Sequence, residues 1–265
     1  MRKLNIVMGS LLVIAVVAYL AILLVVENKF RAPDPSAAPS TMTFHPPRPD
    51  DAPPPIRDAV LLGYDIMLDT GSYAKPYVGN KLTCSNCHFR GGLVQQGIPL
   101  VGVAATYPKF RSRTRYATDL VARTAECFER SMNGQAPPPD SHEMQALQAY
   151  YAWISREMPI YSNVAWLGVK IVRPEREPDR VAGEAIFNSR CASCHGSDGQ
   201  GTDQAPPLWG PQSFNDGAGM AKPPMLGSFV FANMPKGSAD LSVEQAYDVA
   251  AFVASKPRPH FAKAQ

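Results

Sequence analysis

The longest apolar run of the chain lies at its N-terminus and differs from every later one. The run from Leu4 to Val26 contains no charged residue, and Arg2 and Lys3 precede it. At about 1.5 Å per residue, a helix of this length spans a hydrocarbon core of roughly 30 Å. The pattern predicts a membrane anchor over residues 1–31, with the two basic residues in the cytoplasm. A cleaved signal peptide is the alternative, although its apolar core is shorter, about 7–15 residues.

Residues 32–55 follow this run and are dense in proline. They hold nine of the 26 prolines of the chain. Such a composition disfavours a packed core and tends towards extended polyproline II structure. We expect a semi-rigid linker that holds the rest of the protein away from the membrane.

From residue 56 onwards, apolar residues recur every three or four positions, which is the spacing of amphipathic helices. The pattern predicts an all-α fold. Thr118 is the predicted N-cap of the second helix, and Gly134 is its predicted C-terminal stop. The predicted helices are Ile56–Leu68, Asp119–Met132, Ser141–Arg156, Asp179–Asn188, Met225–Asn233 and Val243–Ala254.

A C-x-x-C-H pattern occurs twice in the chain. A lone C-x-x-C suits a redox dithiol or half of a zinc site, but the following histidine and the repetition favour attachment of c-type haem. The cysteines form thioether bonds to the porphyrin, and the histidine is an axial ligand of the iron. We therefore predict two covalently bound haem c groups in an exported protein. The residues concerned are Cys84, Cys87 and His88 in the first copy, and Cys191, Cys194 and His195 in the second.

The two motifs lie in two similar stretches of sequence. The first cysteines of the motifs are 107 residues apart, and Cys127 and Met234 each follow their motif histidine by 39 residues. This register predicts two tandem class I cytochrome c domains, over residues 56–172 and 173–265. Each would contain an entry helix, the motif, a long loop, a distal ligand and a closing helix.

The register also predicts the sixth ligand of the second haem. Met234, followed by proline, is the expected thioether ligand, and His/Met ligation raises the reduction potential. Met220, Met225 and Lys222 lie in the same loop and remain alternatives.

Cys127 occupies the equivalent position in the first domain and is the fifth cysteine of the chain. Thiolate is the metal-binding form of cysteine, and as an anionic donor it favours ferric iron. Electrons would then pass from the first haem to the second. In the alternative interpretation Cys127 is a buried core residue and Met132 is the ligand.

Basic residues surround Cys127 in the sequence. Arg123, Cys127 and Ser131 are spaced i, i+4 and i+8, so they share a helix face. Arg113 and Arg115 belong to a basic loop shortly before. Arginine is suited to binding oxyanions, so the cluster predicts an anion site, although such arginines also bind haem propionates or face solvent. The formal net charge of +3 does not indicate nucleic-acid binding.

Five segments of the chain carry a family resemblance. The most specific is Arg123–Gly134, and the others are Pro207–Gly210, Ser213–Asn215, Gly217–Met220 and Asn233–Pro235. They resemble the periplasmic di-haem thiosulfate dehydrogenases of the tetrathionate-forming type, and the resemblance extends from Ile56 to Pro259. It implies that the His/Cys-ligated first haem is the active site and that the second haem passes electrons on. It also implies that Cys127 is the distal ligand, that Arg113 and Arg123 bind substrate, and that Ser131 lies nearby.

The resemblance implies oxidation of two thiosulfate ions to tetrathionate, with one electron for each haem. The expected location is the bacterial inner membrane, with the haem domains in the periplasm, and the expected partner is a periplasmic or membrane cytochrome or oxidase. A non-catalytic electron carrier and a tetrathionate reductase are the alternatives.

Overall fold

The computed structural model describes residues 16–22 and 42–262. The chain divides into two compact units, Met1–Met42 and Thr43–Gln265. Residues 16–22 of the first unit are helical. Within the described residues, no helix has the length and hydropathy that a membrane crossing needs. The predicted anchor at residues 1–31 lies mostly outside the described residues and stays a prediction.

The second unit is built on helices, and all six predicted helices are present, with ends displaced by no more than three residues. Shorter helices occur at Thr70–Tyr73, Phe89–Gly92 and Ala192–His195, and 3-10 turns at Pro49–Asp51, Lys75–Tyr77, Cys84–Asn86, Ala104–Thr106 and Gly219–Ala221. The long helices are α1 (Pro54–Leu68), α2 (Leu120–Arg130), α3 (His142–Trp153), α4 (Arg180–Arg190), α5 (Pro223–Asn233) and α6 (Val243–Ala254).

The same helix pairing occurs before and after residue 173, and we call these two parts the first and second halves. In the first half α1 packs against α3, and in the second half α4 packs against α6, which also contacts α5. A glycine permits each crossing. A Cβ atom on Gly63 would lie 2.2 Å from the Ala146 carbonyl oxygen, and one on Gly183 would lie 2.0 Å from that of Asp248. Only glycine allows such close approach of two backbones.

Each half has its own apolar core, but the two cores are not independent. The first core is formed largely by α1, α3 and the end of α2, and the second by α4, α5 and α6. Phe214 and Ala218 belong to the second half, yet they are buried in the first core. The loop before α5 therefore attaches the second half to the first.

The basic loop predicted before α2 is a short β-hairpin. Strands β1 (Lys109–Arg111) and β2 (Tyr116–Thr118) are antiparallel, with Phe110 opposite Ala117. The all-α prediction omitted this hairpin because strands of three residues are too short to show a periodicity. The hairpin places Lys109 and Arg111 on one face, since successive strand residues point to opposite faces.

Both predicted ends of α2 were wrong in detail. Asp119 is the N-cap, because its carboxylate accepts a hydrogen bond of 2.7 Å from the Ala122 amide, whereas Thr118 ends strand β2. At the other end, the amides of Ser131 and Met132 both bond to the Cys127 carbonyl. Asn133, not Gly134, then takes the left-handed conformation, with φ of +48°.

The end of the predicted linker packs onto the folded unit. Ala52 is fully buried, and the Trp153 indole donates a hydrogen bond of 2.9 Å to the Arg48 carbonyl. Helix α1 begins at Pro54, two residues earlier than predicted. Proline is tolerated in the first turn of a helix, where its missing N–H has no partner to lose. The part of the predicted linker before residue 42 lies outside the described residues.

Candidate active site

A continuous cavity of about 450 Å³ lies between the two halves, and both C-x-x-C-H motifs line it. Its wall is mainly apolar, with Phe128 and Leu147 from the first half, and Phe187 and Val230 from the second. A space of this kind fits large apolar groups that are fixed by cysteines along its wall. The six motif residues all contribute: Cys84, Cys87, His88, Cys191, Cys194 and His195.

The two motif histidines are held in the same way. His88 Nδ1 lies 2.7 Å from the Ile98 carbonyl oxygen, and His195 Nδ1 lies 2.8 Å from that of Pro206. A carbonyl only accepts, so Nδ1 carries the proton and Nε2 keeps its lone pair for a metal. Burial lowers the pKa of His88 to about 4 and also lowers the pKa of His195. Both imidazoles are therefore neutral, as axial ligation of iron requires.

Three of the four motif cysteines, Cys84, Cys87 and Cys191, are partly buried, whereas Cys194 is exposed. Burial raises the pKa of Cys84 and Cys87 to about 12 and that of Cys191 to about 11. The Thr70 hydroxyl oxygen lies 3.3 Å from Cys84 Sγ. Zinc and iron–sulfur sites need thiolates, which this burial disfavours. Neutral thioether attachment suits the setting better, so these residues fit haem c.

Cys127 lies on α2, lines the cavity, and has a charged partner. Arg123 donates from Nη1 to Cys127 Sγ over 2.8 Å, one helical turn away. The charge of the Cys127 sulfur is the main cause that raises the pKa of Arg123. A guanidinium at this distance stabilises a thiolate. Met132, the alternative ligand, also lines the cavity but is 4% exposed within the first core.

Further charges surround this pair. Arg111 Nη1 lies 2.5 Å from a carboxylate oxygen of Glu126, and Arg123 lies 4.0 Å from the same atom. Burial lowers the pKa of Lys109, as do the charges of Arg111 and Arg123. The sequence did not predict Lys109, Arg111 and Glu126 as site residues. Lys109 and Arg111 approach α2 only because the hairpin places them on the same face. Strand alternation in the basic stretch was the available signal.

The other two predicted catalytic residues have different surroundings. Ser131 lines the cavity with Cys127, and Asn80 bonds to its carbonyl over 2.9 Å. Arg113 is exposed, and its Nη1 donates 2.8 Å to the Gly217 carbonyl of the second half. The structure thus brings together Arg123, Cys127 and Ser131, whereas Arg113 contacts the neighbouring loop.

Met234 is the predicted distal residue of the second motif. It directly follows α5, lines the cavity, and packs against the second core. Met220 also lines the cavity, but it packs against the first core. Met225 and Lys222 are not among the residues that line it. The geometry favours Met234 over the three alternatives.

Known families match both halves. A family described as "SoxA/TsdA, cytochrome c domain" matches residues 71–160, and one described as "Cytochrome c" matches residues 181–256. The thiosulfate dehydrogenase of Allochromatium vinosum is 41% identical over 215 residues, which cover 77% of this chain and 80% of that protein. That of Stutzerimonas stutzeri is 37% identical over 224 residues, which cover 82% and 73%.

Two further comparisons involve longer proteins. The thiosulfate dehydrogenase of Thiomonas intermedia is 41% identical over 207 residues, which cover 76% of this chain and 66% of that protein. The solved structure of thiosulfate dehydrogenase (TsdBA) from Marichromatium purpuratum has a TM-score of 0.78 and 33% identity, covering 82% of this chain but only 50% of that one. The chain belongs to the thiosulfate dehydrogenase family and is an oxidoreductase with two cytochrome c domains and two covalently bound haem c groups.

Proposed function

We propose that this protein oxidises two thiosulfate ions to one tetrathionate ion at the first motif. The observation that carries the proposal is the contact of 2.8 Å between Arg123 and Cys127 Sγ in the cavity wall. This contact places Cys127, a residue that can react as a thiolate, directly beside Arg123, a side chain that suits oxyanions. The relatives named thiosulfate dehydrogenase, at up to 41% identity, support the substrate.

The cofactor-binding residues follow from the cavity wall. Cys84 and Cys87 attach the first haem, and Cys191 and Cys194 attach the second. When bound, the two haems supply two one-electron acceptors for the electron pair that a new sulfur–sulfur bond releases. The proposed iron ligands are His88 and Cys127 in the first half, and His195 and Met234 in the second.

The substrate charge explains why arginines surround Cys127. Two dianions about 4 Å apart repel each other by roughly 4 kcal/mol in water, and by more in a drier site. Arg123 and Arg113 offset this repulsion, and Ser131 lies beside the reacting sulfur. The guanidinium of Arg123 also orients Cys127 Sγ along the helix.

Cys127 divides the reaction into two steps. In the first, its thiolate and the sulfane sulfur of one thiosulfate form a bond, and two electrons leave. In the second, the sulfane sulfur of another thiosulfate attacks, tetrathionate forms, and the Cys127 thiolate departs unchanged. Division of one difficult step into two easier ones is the principle of nucleophilic catalysis.

The cellular setting is part of the proposal. Residues 1–31 anchor the protein in the bacterial inner membrane, and a proline-rich linker from residue 32 leads to two periplasmic domains, of which the first includes the packed residues before α1 and the second begins near residue 173. The uncharged run from Leu4 to Val26 supports the anchor. A periplasmic or membrane cytochrome or oxidase accepts the electrons. Carbonate-washed membranes should retain the protein, and its complete release would contradict the anchor.

The decisive experiment compares wild type with Cys127→Ala in thiosulfate-dependent reduction of ferricyanide. We expect the variant to lose activity by roughly 1000-fold or more, since it lacks the reacting sulfur. Met132→Leu keeps the volume of the core and separates the two candidate ligands: it should retain most activity if Cys127 is the ligand. An inactive wild type, or an unaffected Cys127→Ala, would leave a plain electron carrier.

A further inference from the structure

Two arginines of the first half converge on one carbonyl group of the second half. Arg113 Nη1 lies 2.8 Å and Arg130 Nη1 lies 3.4 Å from the Gly217 carbonyl oxygen. The Arg130 guanidinium also stacks on the ring of Phe261, 4.1 Å from its centroid. The second half therefore fixes where both guanidinium groups lie.

Neither charge of this pair has a directly bonded counter-ion in the part of the chain that the structure describes, where no carboxylate lies within 4.0 Å of either guanidinium. Arg130 Nε is fully buried and has no hydrogen-bond partner. Desolvation lowers the pKa of Arg113 and the charge of Arg130 lowers it further, although the more distant charge of Glu126 opposes both. Two cations beside one neutral carbonyl, with a buried donor unused, cost free energy that a bound anion would offset.

The pair lies on the other side of Cys127 from Arg123. Arg123 precedes Cys127 by four residues and Arg130 follows it by three, so the two arginines are about 10 Å apart along α2. Gly217 lies between Phe214 and Met220, both of which line the cavity. Arg130 directly precedes Ser131, which also lines the cavity. Arg130 and Gly217 are thus chain neighbours of lining residues, although neither they nor Arg113 line the cavity themselves.

We infer that Arg130 and Arg113 form a second oxyanion site, which binds the sulfonate of the second thiosulfate while Arg123 binds that of the first. This inference rests on the proposed function. Tetrathionate carries a sulfonate at each end and its sulfur–sulfur bonds between them, so it needs a cationic site on each side of the reacting sulfur. Paired guanidinium groups suit the oxygens of a sulfonate.

The second half holds this site in shape. The Asp216 carboxylate accepts hydrogen bonds from the Phe261 amide, at 2.8 Å, and from His260 Nδ1, at 2.7 Å. These bonds keep the Phe261 ring under Arg130. A Cβ atom on Gly217 would lie 2.7 Å from Phe261 Cβ, so the close approach requires glycine. Arg130 is therefore a binding residue, and Phe261 is a positioning residue.

The test uses the full-length haem-loaded protein with Arg130→Gln, Arg130→Lys and the control Arg156→Gln. Arg156 also stacks on an aromatic ring, that of Trp153 at 4.0 Å, but Glu157 neutralises it at 3.1 Å. We expect Arg130→Gln to raise the KM for thiosulfate by about 10-fold and to weaken inhibition by added tetrathionate similarly. Arg130→Lys should recover part of both, and Arg156→Gln should change neither.

Several outcomes would overturn the inference while leaving the proposed function intact. One is an active Arg130→Gln with KM and tetrathionate inhibition within twofold of wild type. Another is a shift in the potential of a haem with unchanged KM, which would assign Arg130 to a haem propionate. If Arg130→Gln does not fold, Phe261→Leu, which removes the ring stacked on Arg130, should show the same rise in KM, and no rise there would overturn the inference. The proposed function itself would be contradicted by an inactive wild type or by an unaffected Cys127→Ala.

Discussion

The parts of the cavity around the two motifs, which we call the first and second pockets, are alike at the histidine and different at the candidate distal ligand. Both histidines donate from Nδ1 to a backbone carbonyl, at 2.7 and 2.8 Å. Near the first motif, the candidate ligand Cys127 is half-buried on α2 and bonded to Arg123. Near the second motif, the candidate ligand Met234 packs among apolar residues that include Leu226 and Val230. The attachment motif thus fixes one side of each pocket, and the surrounding helices decide whether the other side carries charge.

This contrast indicates a division of labour. A charged, hydrogen-bonded rim around Cys127 suits a reaction between anions, because guanidinium groups neutralise them. An apolar wall with a thioether suits electron transfer, because it offers no charged group that would hold a reacting anion beside the oxidised or the reduced iron. Substitutions at the candidate ligand of the second pocket and at the helix crossings of each half should have effects of different size.

The largest of these effects should follow from Met234→Leu. The change keeps a similar volume but removes the thioether sulfur. We expect one haem to lose its methionine-to-iron absorption band, its reduction potential to fall, and turnover to drop by about 10-fold or more. Spectroelectrochemistry and steady-state assays measure these quantities.

The matched control is Met225→Leu, since Met225 lies two residues into α5 and outside the cavity wall. It should leave both the spectrum and the rate unchanged. If Met225→Leu abolished the band and Met234→Leu did not, the proposed ligand of the second haem would be wrong.

Alanine at the two helix crossings should destabilise both halves to a similar extent. Gly63→Ala and Gly183→Ala would place a Cβ atom 2.2 Å and 2.0 Å from a backbone oxygen. Because the two helices must move apart, each variant should lose about 2 kcal/mol of unfolding free energy, which is more than the higher helix propensity of alanine contributes. Thermal unfolding measures the loss. Gly219→Ala, where no atom lies within 4 Å, is the control and should be neutral.

A smaller and pH-dependent effect should be confined to the second half. Asp248 is buried on α6 and forms two bonds with Arg176, at 2.6 and 2.8 Å. Burial alone would raise the pKa of Asp248, but the Arg176 guanidinium and the Asp179 amide outweigh it, and the pKa is lowered. In the first half, the residue that makes the corresponding contact at the helix crossing is Ala146, which has no charge to lose.

The sign of the pH dependence follows from the lowered pKa. The stabilisation is present above the unfolded pKa of about 3.9 and disappears as the pH falls through the folded value. Asp248→Asn should lower the melting temperature by a few degrees at pH 7, and the gap to wild type should shrink below pH about 4. A gap that stays constant between pH 7 and pH 3 would contradict this account.

Much of the frame could be predicted from the sequence because its causes are local. The 3.6-residue periodicity locates all six helices, and Ser141 and Asp179 cap α3 and α4 directly before their first residues. The end of α2 could not be placed, since Asn133 is not the glycine that usually takes a left-handed conformation. The hairpin was missed because three residues per strand carry no usable pattern.

The candidate site was predicted where a repeat interval or a helix spacing determines it. The interval of 39 residues relates Cys127 to Met234, and the i, i+4 spacing of Arg123 to Cys127 became a contact of 2.8 Å. Arg113 was grouped with them, yet it bonds to Gly217 instead. Glu126 was overlooked, although from α2 it pairs with Arg111 of the hairpin.

The sequence by itself determined what is attached and where along the chain, because thioether chemistry and axial ligation need only five consecutive residues. It also determined the family, and with it the two haem groups. Tertiary structure decided which groups the charged side chains contact. The Arg130 and Arg113 contacts with Gly217 join residues 87 and 104 positions apart, from different halves. No local pattern encodes such contacts, since they exist only once the loop before α5 has packed into the first core and brought the Gly217 carbonyl within hydrogen-bonding distance of both arginines.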